Sequence, residues 1–181
     1  ICCEKAGFLL SISNYINTDF SIIISRKLPF PNNPESGFGA IAEDGSTFIF
    51  DYFNQSVDDS IIKNIIKEQK QEIKRRKLVL RKNRPLPKIK ERTIILTDDG
   101  IAMGSTMRAT IKMIKKKRPK KLIIAAPVAS PRVSKDLEEL ADEVIILTTP
   151  TDFRAVAQVY ESWYDVPDDE VISIMKKANI K

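Results

Sequence analysis

Residues 93–107 read Thr-Ile-Ile-Leu-Thr-Asp-Asp-Gly-Ile-Ala-Met-Gly-Ser-Thr-Met and hold the densest chemistry in the chain. An apolar, β-branched run ends in two consecutive carboxylates, Asp98 and Asp99, and a loop with Gly100 and Gly104 leads to the hydroxyls of Ser105 and Thr106. Carboxylates side by side repel each other unless cations or hydroxyl donors offset the charge. The vicinal hydroxyls of a ribose, with a divalent metal nearby, meet both needs. The same carboxylates would also face positive charge developing on a sugar ring during substitution. The two glycines let the backbone fold closely around a group whose oxygens accept hydrogen bonds from amide N–H groups. A helix starting near Ser105 or Thr106 adds its unpaired donors and its dipole, which suits a terminal phosphate. Alone, Asp-Asp-Gly is an ordinary strand-ending turn with Ser105 as a helix cap. With a buried strand before it and a Gly-Ser-Thr helix start after it, the segment reads as a phosphosugar site.

The elements that must position this segment follow an α/β pattern with a mainly parallel sheet. Apolar β-branched runs cover residues 20–25, 47–53, 93–97, 122–126 and 143–148, and their continuity predicts strands covered on both faces. A long helix is expected over residues 57–80, with Ser56 as N-cap and Asp58 and Asp59 in its first turn. Ile61, Ile62, Ile65, Ile66 and Ile73 share one face of it, and the charge over residues 67–84 reads as a solvated face. Pro85 and Pro87 end it. Residues 28–35, rich in proline and asparagine, are expected to form a loop after the first strand.

Residues 94–107 resemble the phosphoribosyl pyrophosphate (PRPP) binding motif of the type I phosphoribosyltransferases, and most nearly that of the predicted phosphoribosyltransferases of uncharacterised specificity. In those the motif commonly reads Val-Asp-Asp-Gly-Ile-Ala-Thr-Gly-Ala-Thr-Met, against residues 97–107 here. The resemblance extends to Arg26-Lys27-Leu28, Asn33-Pro34-Glu35, Gly39-Ala40-Ile41-Ala42, Arg75-Arg76, Arg84-Pro85, Ala126-Pro127-Val128, Thr149-Pro150, Phe153 and Trp163-Tyr164, and so covers nearly the whole chain. It implies a single domain over residues 1–181: a twisted parallel, Rossmann-like sheet flanked by helices, with a small hood. It also implies Mg2+-dependent transfer of the 5-phosphoribosyl group from PRPP to a nitrogenous base or amine, with release of pyrophosphate. Asp98, Asp99 and Gly100 would hold the ribose. The two aspartates would be the catalytic pair and organise the metal, directly or through water. Ala102, Met103, Gly104, Ser105 and Thr106 would wrap the 5-phosphate. Arg26 and Lys27 would lie near the pyrophosphate, and residues 55–92 would cover the active site. The resemblance further implies a homodimer.

Two departures from the family pattern carry meaning. The glycine-rich pyrophosphate loop aligns with Cys2-Cys3-Glu4-Lys5, where the glycines are absent and Glu4 adds negative charge. Cys3, Glu4 and Lys5 are therefore the pyrophosphate candidates, and a non-catalytic PRPP- or nucleotide-binding regulator is the alternative reading. Ala102 stands where 6-oxopurine enzymes carry an aspartate for the purine, so adenine or a non-purine acceptor stays open. Met103 replaces a common threonine, and Ser105 can restore a hydroxyl to the phosphate. Phe153 and Trp163, with Tyr160 and Tyr164, are the aromatic candidates for the base. In the family a strand precedes the pyrophosphate loop, so Ile1 is expected to mark the end of that strand, with the native protein extending further.

Composition narrows the rest. The chain of 181 residues, enough for one full core, has no histidine, which removes Ser-His and Cys-His nucleophile pairs and any imidazole base. Its two cysteines are adjacent, too few for a disulfide framework or a thiolate metal site, which fits a reducing, cytoplasmic setting. No apolar run is long enough to cross a bilayer. The net charge of +6 favours an anionic partner. PRPP answers that excess without nucleic acid, and the lysines around Lys112 to Lys121 are explained as the exposed end of a helix.

Overall fold

The computed structural model describes Tyr15 and residues 18–51, 58–162, 164 and 166–177. The described strands form two three-stranded sheets. The first is antiparallel, with β1 (Ser25–Phe30), β2 (Asn33–Ala42) and β3 (Thr47–Ile49) in that spatial order. Helix α1 (Asp59–Arg81) follows, and then a parallel βαβαβ unit: β4 (Thr93–Thr97), α2 (Ser105–Lys116), β5 (Lys121–Val128), α3 (Pro131–Glu138) and β6 (Glu143–Thr148). The order of the parallel strands is β4-β5-β6. A short 3-10 turn (Val156–Val159) and α4 (Asp168–Lys177) complete the described chain.

The parallel unit matches the sequence reading closely, because its strands are short apolar runs and its helices have clear starts. Leu96 pairs with Ile124, and Ala125 with Ile145, so the motif strand lies in register with its neighbour. Helices α2 and α3 cover one face, where Leu96, Leu122, Ile124, Met113, Ile114 and Leu137 form a core. Coverage on both faces does not hold among the described residues. Ile95 is exposed on the other face, as are Ile145 (45%) and Leu147 (80%) at the edge strand. Alternating burial along β5 records the same one-sided packing.

The proline-rich stretch is a hairpin rather than a loop. β1 runs to Phe30, Pro31 and Asn32 turn, and β2 starts at Asn33. Pro29 is tolerated because β1 is a sheet edge and the register shifts at that residue, so its missing N–H breaks no regular ladder. The expected first strand over residues 20–25 enters a ladder only at Ser25, although Ile22, Ile23 and Ile24 are buried. Helix α1 is capped by Asp58, whose carboxylate accepts from the Ser60 N–H at 2.7 Å, while Ser56 and Val57 lie outside the described residues. Lys82 and Asn83 adopt left-handed conformations and stop the helix before Pro85. Its buried face carries Ile65, Ile73 and Leu80 and joins Ile22, Ile24, Leu28, Phe38, Ile41, Val171 and Met175 in a second core beneath the antiparallel sheet. On its outer side Glu72 accepts hydrogen bonds from Arg75 and Arg76, and the Arg75 guanidinium foremost holds its carboxyl near 2.

One polar tie joins the two halves, and a second closes the antiparallel half on itself. The hydroxyls of Ser25 (β1) and Thr110 (α2) are 2.8 Å apart and buried. At the end of α1 the Arg81 guanidinium, 5% exposed, pairs with Glu43 just beyond β2. Lys77 adds a longer contact of 3.7 Å to the same carboxylate. Removing one partner of a buried pair leaves the other charge without compensation. Glu43→Ala is therefore expected to lower stability by roughly 3–5 kcal/mol, and the double change Glu43→Leu with Arg81→Met to recover most of that loss. Urea unfolding of the three variants beside the wild type measures both.

Candidate active site

β4 ends at Thr97, and its direction projects Asp98 and Asp99 from the carboxyl edge of the parallel sheet, where ligands of open α/β sheets bind. Asp98 keeps part of its surface open, while Asp99 is 8% exposed. The Asp99 N–H donates to Asp98 Oδ1 at 3.1 Å. Burial first, and the adjacent Asp99 charge second, push the Asp98 carboxyl up to about 7. The pair is thus costly in its ionised form.

The backbone beyond it is pinned from two sides. Gly100 lies under the 3-10 turn: a Cβ there would fall 2.7 Å from Val156 and 2.9 Å from Val128. The Tyr160 hydroxyl donates to the Asp99 carbonyl at 2.7 Å. Burial foremost, with the charges of Asp99 and Asp98 adding to it, pushes the pKa of that hydroxyl above the ordinary tyrosine value. From the other side, the Ile101 N–H donates to the Val128 carbonyl at 2.9 Å, and the Ser130 hydroxyl donates to the Ala102 carbonyl at 3.1 Å. Residues 100–104 are therefore held against the end of β5.

Gly104 sits at the N-cap of α2 with φ +74, and no side chain caps the helix. The first-turn N–H groups of α2 are left for a ligand, with the Ser105 and Thr106 side chains beside them. Met103 is exposed, so its side chain takes no part in the core. Behind the loop, Arg108 donates to Asp136 at 2.7 Å, and its guanidinium carbon lies 5.3 Å from the Phe48 ring centroid. Its buried Nε has no hydrogen-bond partner among the described residues, and the same holds for Thr97 Oγ1.

Asp98, Asp99, Gly100 and residues 102–106 thus form one continuous rim. Arg26 and Lys27 lie on β1, with Arg26 Nε donating to Gln69 of α1 at 3.2 Å. Phe153 is 8% exposed, and the Tyr164 hydroxyl donates to Glu170. Cys3, Glu4, Lys5 and Trp163 lie outside the described residues. Sequence reasoning missed Val156, Arg108 and the backbone role of Tyr160. Val156 is an ordinary apolar residue and Arg108 an ordinary helix cation, so only their contacts mark them.

Among the described residues no group of three or more Asp, Glu, Cys or His is gathered for a metal. Two adjacent carboxylates are nevertheless hard oxygen donors whose repulsion a divalent cation relieves, so Asp98 and Asp99 fit Mg2+ supported by water or substrate oxygens.

A parallel sheet whose first strand ends in paired carboxylates and leads to an uncapped helix start places the chain among α/β proteins that gather ligands at the carboxyl ends of their strands. The phosphoribosyl transferase domain model matches residues 47–162. The chain belongs to the phosphoribosyl transferase domain family. Two proteins of Mycobacterium tuberculosis, from strains CDC 1551 / Oshkosh and ATCC 25618 / H37Rv and each named "Putative phosphoribosyl transferase", are 29% identical to it over 170 residues. The match covers 93% of this chain and 38% of theirs, so the chain spans well under half the length of these relatives. The crystal structure of TT1426 from Thermus thermophilus superposes with a TM-score of 0.73 at 30% identity, over 93% of this chain and 80% of that one. No helix among the described residues is long and apolar enough to cross a membrane.

The strain at this rim has measurable effects. The Asp98 carboxyl ionises near 7 when folded and near 3.8 when unfolded, so the unfolded chain loses its proton first and stability falls as pH rises between those values. In metal-free buffer Asp98→Asn is expected to be more stable than wild type at pH 8, by on the order of 1–2 kcal/mol after allowance for its partial exposure. Thermal melts from pH 4 to 8 should show that gap open as pH rises and level off above pH 7. Gly104→Val forces a side chain into a left-handed position, 2.7 Å from Val133, and should lower stability by roughly 1–3 kcal/mol. Circular-dichroism melts report it.

Proposed function

We propose that this chain is the catalytic domain of a Mg2+-dependent phosphoribosyltransferase, moving the 5-phosphoribosyl group from PRPP to a nitrogenous base or amine and releasing pyrophosphate. One observation carries the reading: paired carboxylates at the end of β4 lie one short, pinned loop away from a helix start whose N–H groups have no cap. That spacing suits a ribose bearing a 5-phosphate. The backbone of residues 102–106 would hold the phosphate, and Asp98 and Asp99 the ribose hydroxyls.

In this reading the C1–N bond forms as the C1–O bond to pyrophosphate breaks, through a sugar ring that gains positive charge. Asp98 and Asp99 oppose that charge, and no covalent nucleophile is required, so the lack of histidine is no obstacle. Mg2+, held with the help of these carboxylates, would supply neutralisation of the leaving diphosphate. Arg26 and Lys27, with Cys3, Glu4 and Lys5, would lie toward the pyrophosphate. Phe153 or Trp163 would belong to the base side. Closure by residues 55–92 would exclude water from the sugar centre.

Glu4, and the lack of glycine beside it, favour the second reading, a PRPP- or nucleotide-binding regulator. Pyrophosphate release across a panel of bases and amines, with PRPP and Mg2+, separates the two. The expected result is release with at least one acceptor, reduced at least about 100-fold by Asp98→Asn with Asp99→Asn, a loss of the size seen when key electrostatic groups are removed. PRPP binding with silence across the panel would select the regulator, and no PRPP binding would exclude both.

A further inference from the structure

A second concave surface lies at the far end of α2, away from the rim just described. Helix α2 begins at the candidate site and runs twelve residues, about 18 Å, to Lys116. Beyond that end, Lys117, the turn after β2 and the segment before β4 enclose a groove of about 560 Å³. Its size is that of a small-molecule site. Six cationic side chains line it, Lys77, Arg81, Arg84, Lys88, Lys90 and Lys117, against two carboxylates, Glu43 and Asp44. Glu43 is engaged by Arg81 and Lys77, and Asp44 by Lys116 at 3.4 Å. Lys88 and Lys117 form no ion pair among the described residues.

The groove also holds a buried and incompletely satisfied charge. Arg81 is 5% exposed, and only one arm of its guanidinium reaches Glu43. Its Nε and Nη1 have no hydrogen-bond partner among the described residues, and neither does Glu43 Oε1. The two unpartnered donors would take anionic oxygens and the unpartnered carboxylate oxygen a hydroxyl or N–H donor, and because all three atoms are buried in the groove wall a ligand meets them only as the Arg81 and Glu43 side chains turn outward. Inorganic phosphate meets the first demand better than the second. A phosphate chain joined to a hydroxylated sugar meets both, and the Leu86 and Pro87 walls suit an apolar ring face. We infer that this groove is a second ligand site, distinct from the phosphosugar rim, that takes a nucleoside polyphosphate through Arg81, Lys88 and Lys117.

The inference does not depend on transferase activity and is tested by binding alone. Calorimetric titration of the full chain with ATP should give a saturable site. Lys88→Glu with Lys117→Glu should weaken it at least tenfold while leaving the thermal melt in place, and Asp98→Asn should leave it unchanged. Tripolyphosphate should bind more weakly than ATP. Undiminished affinity in the lysine variant, or loss in Asp98→Asn, would overturn the assignment, as would tripolyphosphate matching ATP. A single-stranded oligonucleotide that outcompetes ATP, with affinity falling steeply with salt, would instead make the groove a nucleic-acid surface and overturn it too.

Discussion

Two like charges held side by side at the buried end of β4 are the constraint around which this domain is arranged. Asp98 and Asp99 repel each other, and burial adds to the cost of ionising them. A flexible chain would relieve that cost by turning the carboxylates away. Here the surrounding backbone leaves little freedom to do so: β4 is locked in parallel register with β5, Gly100 is packed beneath Val156, and Tyr160 holds the Asp99 carbonyl. The repulsion within the pair is thus offset by packing on either side of it. In the function proposed above, a bound cation and the ribose hydroxyls would remove that cost.

The same logic extends to the loop that follows. A helix start without a cap is a loss to the isolated protein, since its first N–H groups lack partners. Gly104 in a left-handed conformation, backed by Val133 and Arg108, keeps those groups at the rim instead of allowing a serine or aspartate to close on them. Helix α2 then connects this rim to the rest of the molecule. It packs on the parallel sheet through Ile111 and Ile114, meets β1 through Thr110, and ends beside the basic groove at Lys117. The antiparallel sheet is tied to α1 by the Glu43 and Arg81 pair, so that helix cannot leave the sheet without uncovering a charge.

Much of the parallel unit was legible in the sequence. Continuous β-branched runs located β4, β5 and β6, and the order of acids, glycines and hydroxyls located the start of α2, because each of those signals is local. The hairpin of β1 and β2 was not legible. Pro29 and Pro31 argue for a loop, and what admits them is their place at a sheet edge and turn, which depends on which strand lies next to which. One-sided burial of the parallel sheet was hidden for a related reason. An apolar run looks the same whether one face is covered or both.

The residue types around the candidate site, their spacing and the absence of imidazole chemistry belong to the sequence alone, since they are properties of a continuous stretch of chain. So does the family likeness, which rests on that stretch and on shorter matches along the chain. The roles of Val156, Tyr160 and Arg108 were decided only by the fold, and so was the incomplete pairing of Arg81. Each depends on atoms brought together from sequence positions far apart. Hydrogen bonding, close contact and burial act over a few ångströms of space, and nothing in the local sequence records which distant residue will occupy that distance.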